Sequence, residues 1–105
     1  MNFTSFVQGS QLTVALTGEI DHHCARDYMQ RIAAKIDAYT PKVCVLDFRE
    51  VSFMDSSGIA VVINAQRRMA QIEGQLRLEH IGPQPMKVFS ASGIDRIIKM
   101  EEGVK

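Results

Sequence analysis

The run Val43-Cys44-Val45-Leu46-Asp47-Phe48 limits the fold more than any other stretch, being almost wholly apolar and flanked on both sides by helix-period segments. A strand of this composition is expected at the centre of a sheet, covered on both faces. Upstream, Ala25, Met29, Ile32, Ala33 and Ile36 recur at spacings of three and four, which predicts a helix from about His23 to Tyr39 with that stripe buried. Arg26, Gln30, Lys35 and Asp37 lie off the stripe and are expected in water. Asp21 is the expected N-cap, and Thr40-Pro41 the stop, because a residue before proline is pushed out of the α region. Downstream, a second helix is expected from Asp55-Ser56 to about Ile72. Its inner face would carry Ile59, Val62, Ile63, Gln66 and Met69 or Ala70, with Gly74 left-handed behind it. Strands that alternate with helices need crossover connections and therefore a sheet with a parallel portion.

The flanks complete an α/β domain. Residues 3–7 and 12–17 form a predicted hairpin around Gln8-Gly9-Ser10-Gln11, with Leu12, Val14 and Leu16 alternating against Thr13, Ala15 and Thr17. Gly18-Glu19-Ile20-Asp21 ends the hairpin and leads into the first helix. Leu76, Leu78 and His80 alternate with Arg77 and Glu79 in a further strand. Pro83 and Pro85 open a short helix that turns Met86 and Phe89 (or Val88) inward and ends at Gly93. Ile97-Ile98-Lys99-Met100 reads as a last short strand. No linker or repeat interrupts residues 1–105, which are expected to form one domain.

Twelve basic residues balance twelve acidic ones, so no net positive charge favours a nucleic-acid partner. No apolar stretch approaches a membrane span, and Met1-Asn2-Phe3-Thr4-Ser5-Phe6 lacks the basic start of a signal peptide. A cytoplasmic protein without a membrane partner is expected. Cys24 and Cys44 make no disulfide framework and read as small buried hydrophobes. The His22-His23-Cys24 run invites a metal reading, but adjacent residues on a helix diverge by about 100°. Three histidines leave few further imidazole ligands, and neither metal nor cofactor is expected.

The stretch with most chemistry is Glu50-Val51-Ser52-Phe53-Met54-Asp55-Ser56-Ser57-Gly58, between a buried strand and a helix, where open α/β sheets place their sites. Asp55, Ser56 and Ser57 offer three oxygens for capping where one suffices, so either plain capping or a second role explains them. Phe53 and Met54 either anchor the loop in the core or present a docking surface. Gly58 leaves room for close approach of another chain. Asp21, His22 and His23 at the other junction are a cap with polar neighbours or part of a surface. A hydrolase built on Ser56 with a nearby His and Asp finds no support in motifs. The G-x-S-x-G elbow and the Gly-rich phosphate loop are both missing, so no enzyme activity is expected.

Ser52-Phe53-Met54-Asp55-Ser56-Ser57-Gly58, with Gly18-Glu19-Ile20-Asp21-His22-His23 before it and Val88-Phe89…Ser92-Gly93-Ile94 after it, resembles the anti-sigma factor antagonist family, in particular its sporulation sigma-F branch. The family's fold is called the STAS domain. The resemblance implies a mixed sheet with an N-terminal hairpin and helices mainly on one face. It implies Ser56 as the phosphoacceptor, although spacing by itself does not separate Ser56 from Ser57. It further implies a partner-binding surface around Asp21, His22, Phe53, Met54, Asp55, Ser57 and Gly58. The expected partners are an anti-sigma factor that is a serine kinase of the histidine-kinase-like ATPase type, and a serine phosphatase. In this partner switching the unmodified form binds the kinase and frees a sigma factor, and phosphorylation ends the binding. The expected blockade is steric and electrostatic, not unfolding, since a phosphoserine adds about −1.5 to −2 charges at a helix start that tolerates them. The alternative is a STAS interaction module with another partner in a stress, biofilm or sensor pathway. Relatives continue into a C-terminal helix, which is expected here to be absent or very short.

Overall fold

The computed structural model describes residues 3–102. Its elements are β1 (Phe3–Gln8), β2 (Gln11–Ile20), α1 (Ala25–Tyr39), β3 (Val43–Met54), α2 (Ser57–Gln71), β4 (Gln75–Ile81), α3 (Pro83–Ser92), a 3-10 turn (Ile94–Arg96) and β5 (Lys99–Glu102). The strands lie side by side in chain order. β1 and β2 are antiparallel, and every later pair is parallel. Each helical crossover therefore steps to the next strand in one direction. With the right-handed rule obeyed throughout, that order puts all three helices on one face of the sheet.

This strand order overturns the expectation that β3 is covered on both faces. Cys44, Leu46 and Phe48 face the helices and share one core with Leu12, Val14 and Leu16 of β2 and Leu78 of β4. The helices contribute Tyr28, Ile36, Val62 and Phe89 to the same core. Phe48 and Phe89 meet edge to face at 5.5 Å, which ties α3 to the central strand. The opposite face carries Thr13, Val45 and Arg77 abreast, followed by Ala15, Asp47 and Glu79. It is largely polar, with Arg77 paired to Glu79 at 2.9 Å and His80 to Asp47 at 3.0 Å. On this side Val45 is buried together with Thr13, while Val43 is only half-buried.

Several boundaries and faces differ from expectation for local reasons. β2 continues through Gly18 and Glu19 to Ile20, so α1 begins only at Ala25, with Cys24 and not Asp21 in the N-cap position. The buried stripe of α1 includes Tyr28, whose hydroxyl donates to the Thr17 carbonyl at 2.9 Å, whereas Met29 is half-buried. In α2 the stripe is Gly58, Val61, Val62, Ala65 and Met69; Ile59, Ile63 and Gln66 sit at its edges and Ala70 is exposed. Glu73, not Gly74, takes the left-handed conformation after α2. Gly74 is required for space, since a Cβ there would stand 2.5 Å from the Met69 Cε and 3.0 Å from the Lys42 carbonyl oxygen. His80, at φ 58°, breaks the alternation of β4 and sends Ile81 inward in its place. The last strand starts at Lys99, after a buried Ile98 and an exposed Ile97. Where a C-terminal helix was in question, the chain forms β5 as far as Glu102, and residues 103–105 lie outside the described residues.

Candidate functional site

Parallel strands in chain order carry their strand-to-helix junctions at one end of the sheet, and three of these junctions are stitched together there. The Asp55 N–H donates to the Ile20 carbonyl at 3.1 Å, joining the junction after β3 to the end of β2. From the start of α3, the Gln84 side chain grips the Met54 backbone twice, accepting its N–H and donating to its carbonyl, both at 2.8 Å. Gln84 escaped the sequence reading; its only mark there is a lone amide side chain between Pro83 and Pro85.

The gripped strand end fixes the turn that follows. One oxygen of Asp55 accepts the Ser57 N–H at 2.7 Å, while the Gly58 and Ile59 N–H groups bond to the Asp55 and Ser56 carbonyls at 3.0 and 3.1 Å. Asp55 therefore does the capping. Ser56 holds the N-cap position without a side-chain cap bond, and its residue is exposed while Ser57 is half-buried. Among the described residues nothing accepts from or donates to the Ser56 hydroxyl. Of the two neighbouring serines, Ser56 is the more open to a second protein.

The residues around Ser56 divide into a foundation and a surface. Met54 is 0 % exposed and packs beneath Gly58, where a Cβ would collide with the Met54 thioether. These two shape the turn from below, so neither Met54 nor Gly58 offers a surface to another chain; the close approach that Gly58 permits is internal. Phe53 is 43 % exposed and stands as an apolar side chain at the rim. Asp21 accepts the His23 N–H at 2.9 Å, closing the turn ahead of α1. Burial pushes the Asp21 carboxyl up, but bonds from the His23 and Cys24 amides prevail and hold it below its ordinary 3.8. His22 and His23 lie in this turn and not on a helix, and their rings stack at 4.0 Å. The divergence expected from helical spacing thus does not apply to them. Among the described residues no three His, Cys, Asp or Glu side chains gather closely enough to hold a metal ion.

Beside Ser56, an open groove of about 500 Å³ runs between α2 and α3, lined by Ser56, Ile59, Lys87, Val88, Ala91 and Ser92. His80, by contrast, is turned to the helix-free face, between Asp47 at 3.0 Å and Arg49 at 2.8 Å.

The sequence matches the STAS domain family over residues 4–105. The chain belongs to the STAS domain family. Among its relatives, the anti-sigma F factor antagonist of Lysinibacillus sphaericus is 32 % identical over 83 residues, covering 79 % of this chain and 71 % of that protein. The anti-sigma-B factor antagonist of Bacillus subtilis is 27 % identical and covers 91 % of this chain and 90 % of its own length. Solved structures of the anti-sigma factor antagonist SpoIIAA superimpose in its unphosphorylated form (TM-score 0.81, 27 % identity, 94 % of this chain and 87 % of that one). The phosphorylated form from Bacillus does so too (TM-score 0.72, 28 % identity, 94 % and 90 %). This STAS domain shares their mixed sheet with helices on one face. No helix among the described residues is long and apolar enough to cross a membrane.

Proposed function

We propose that this STAS domain is a non-enzymatic anti-sigma factor antagonist of the cytosol whose binding is switched by phosphorylation of Ser56. The observation that carries the reading is the Ser56 hydroxyl, exposed at the start of α2 and relieved of capping duty by Asp55. The relatives named anti-sigma factor antagonists, one of them solved with and without phosphate, support the same reading. The partner is an anti-sigma factor with serine kinase activity, of the histidine-kinase-like ATPase type, and a serine phosphatase reverses the modification.

In the unmodified state the partner packs over the rim made by Asp21, His22, Phe53, Asp55, Ser56 and Ser57. Phe53 supplies apolar area and the polar groups set the register. A phosphate on Ser56 adds about −1.5 to −2 charges and the bulk of three oxygens beside the Asp55 carboxylate. The start of a helix accommodates such a group, so α2 persists and the contact surface alone changes. Binding is therefore blocked by bulk and repulsion.

Calorimetric titration of the kinase from the same cells tests this. Unmodified protein is expected to bind, and Ser56→Asp or phosphorylated protein to bind more weakly by roughly tenfold or more, as for a like charge placed against a packed interface. Equal binding by all three forms would refute the switch. Failure of the unmodified form to bind any such kinase would favour a STAS module with a different partner.

A further inference from the structure

We propose that Lys87 is the phosphate-recognising side chain of this domain: its ammonium closes over a phosphate on Ser56 and draws a charged lid across the groove between α2 and α3. The inference rests on Ser56 as the modified residue and adds what the rest of the molecule does with the modification.

Four observations support it. Ser56 and Lys87 line the same groove from opposite helices, one at the start of α2 and the other in the first half of α3. Lys87 is exposed and makes no ion pair with any described residue, whereas Arg31, Arg68 and Arg77 are each held by a carboxylate. Among the six lining residues Lys87 is the only charged one, and none is acidic. The rest of the lining is Ile59, Val88, Ala91 and Ser92, which offers a dianion little competition from other charges. Asp55 directly precedes Ser56, and its N–H bond to the Ile20 carbonyl brings the chain next to Asp21 to the same junction, so the neighbouring carboxylates belong to the junction and not to the groove that holds Lys87. A lysine stem is long and flexible enough to lie along an apolar groove while its head meets the anion.

The lid gives the switch a second component. Besides blocking the rim, the phosphate recruits a side chain that covers apolar surface beside it.

Phosphorus NMR on protein carrying genetically encoded phosphoserine at position 56 tests the proposal without any kinase. The second ionisation of the phosphate is followed by pH titration. Lys87→Gln is expected to raise its midpoint by roughly half a pH unit, the size of a solvent-exposed ion pair. Lys87→Arg is expected to keep the midpoint of the parent. Lys42→Gln, a change of an exposed lysine at the other end of β3, is expected to leave it unmoved. An unchanged midpoint in Lys87→Gln, or an equal rise in Lys42→Gln, overturns the proposal. Because the phosphate is installed during translation, that outcome is separate from failure of the kinase to modify Ser56, which would count against the switch and not against the lid.

Discussion

At the residue scale, the proposed switch depends on a division of labour between two neighbours. Asp55 caps and Ser56 does not. Ser56→Ala is therefore expected to shift stability by less than about 0.5 kcal/mol, as at other exposed positions, while removing phosphate incorporation by the kinase. Asp55→Ala is expected to cost about 1 kcal/mol in a denaturant titration, the ordinary loss of a cap. If Ser56→Ala were the costlier change, Ser56 would be a structural cap. The sequence named the three capping candidates but could not rank them, because the choice depends on the backbone delivered by β3. Cys44 allows a separate test of the core. Its burial pushes the thiol up from 9.0 to about 12. The native state thus holds this proton more tightly than the unfolded chain. That stability is fully present below pH 9 and is lost as pH rises toward 12, at about 1 kcal/mol per pH unit. Cys44→Ala is expected to show a flatter decline over that window, measured by denaturant titration at each pH.

At the element scale, α2 is placed by what lies under it. The apolar spacing located this helix within two residues and named Val62 and Met69 of its buried face correctly. It set Ile59 and Ile63 at the centre of that face, where they are only half-buried, because Gly58 is not seen to face inward from the sequence. A glycine carries no hydrophobic signal, and only its contact with Met54 reveals the orientation. Gly58→Ala is expected to cost about 1–3 kcal/mol by overpacking. Combined with Met54→Ala it is expected to cost less than the sum of the two, since the added methyl enters space the thioether has left. Additive costs would place the strain elsewhere. The Gln84 grip on Met54 makes α3 a second support. Loss of both bonds in Gln84→Ala is expected to destabilise the domain by about 1–3 kcal/mol, with Gln84→Glu in between because a carboxylate can accept the Met54 N–H but not donate to its carbonyl. Nothing in the residue order announced this contact, which joins two elements far apart in the chain.

At the scale of the whole molecule, the alternation of strands and helices made the parallel sheet legible, and the hairpin residues fixed its antiparallel edge. What the pattern could not supply was the order of strands. The apolar run 43–48 reads as doubly covered, yet neighbouring crossovers leave one face free of helices, and Val45 with Thr13 suffices to bury that side locally. The same order collects the junctions after β2, β3 and β4 at one end, which is why two motifs distant in sequence form one rim. Under the proposed switch, a change confined to the rim leaves the sheet alone, and the phosphorylated protein is expected to keep the fold. The central claim is that Ser56 carries a regulated phosphate, and the most direct measurement is phosphosite mapping by mass spectrometry on the protein from its own cells across growth conditions. Phosphate on Ser56 with an occupancy that changes with condition is the expected result; phosphate confined to Ser57, or none under any condition, would contradict it.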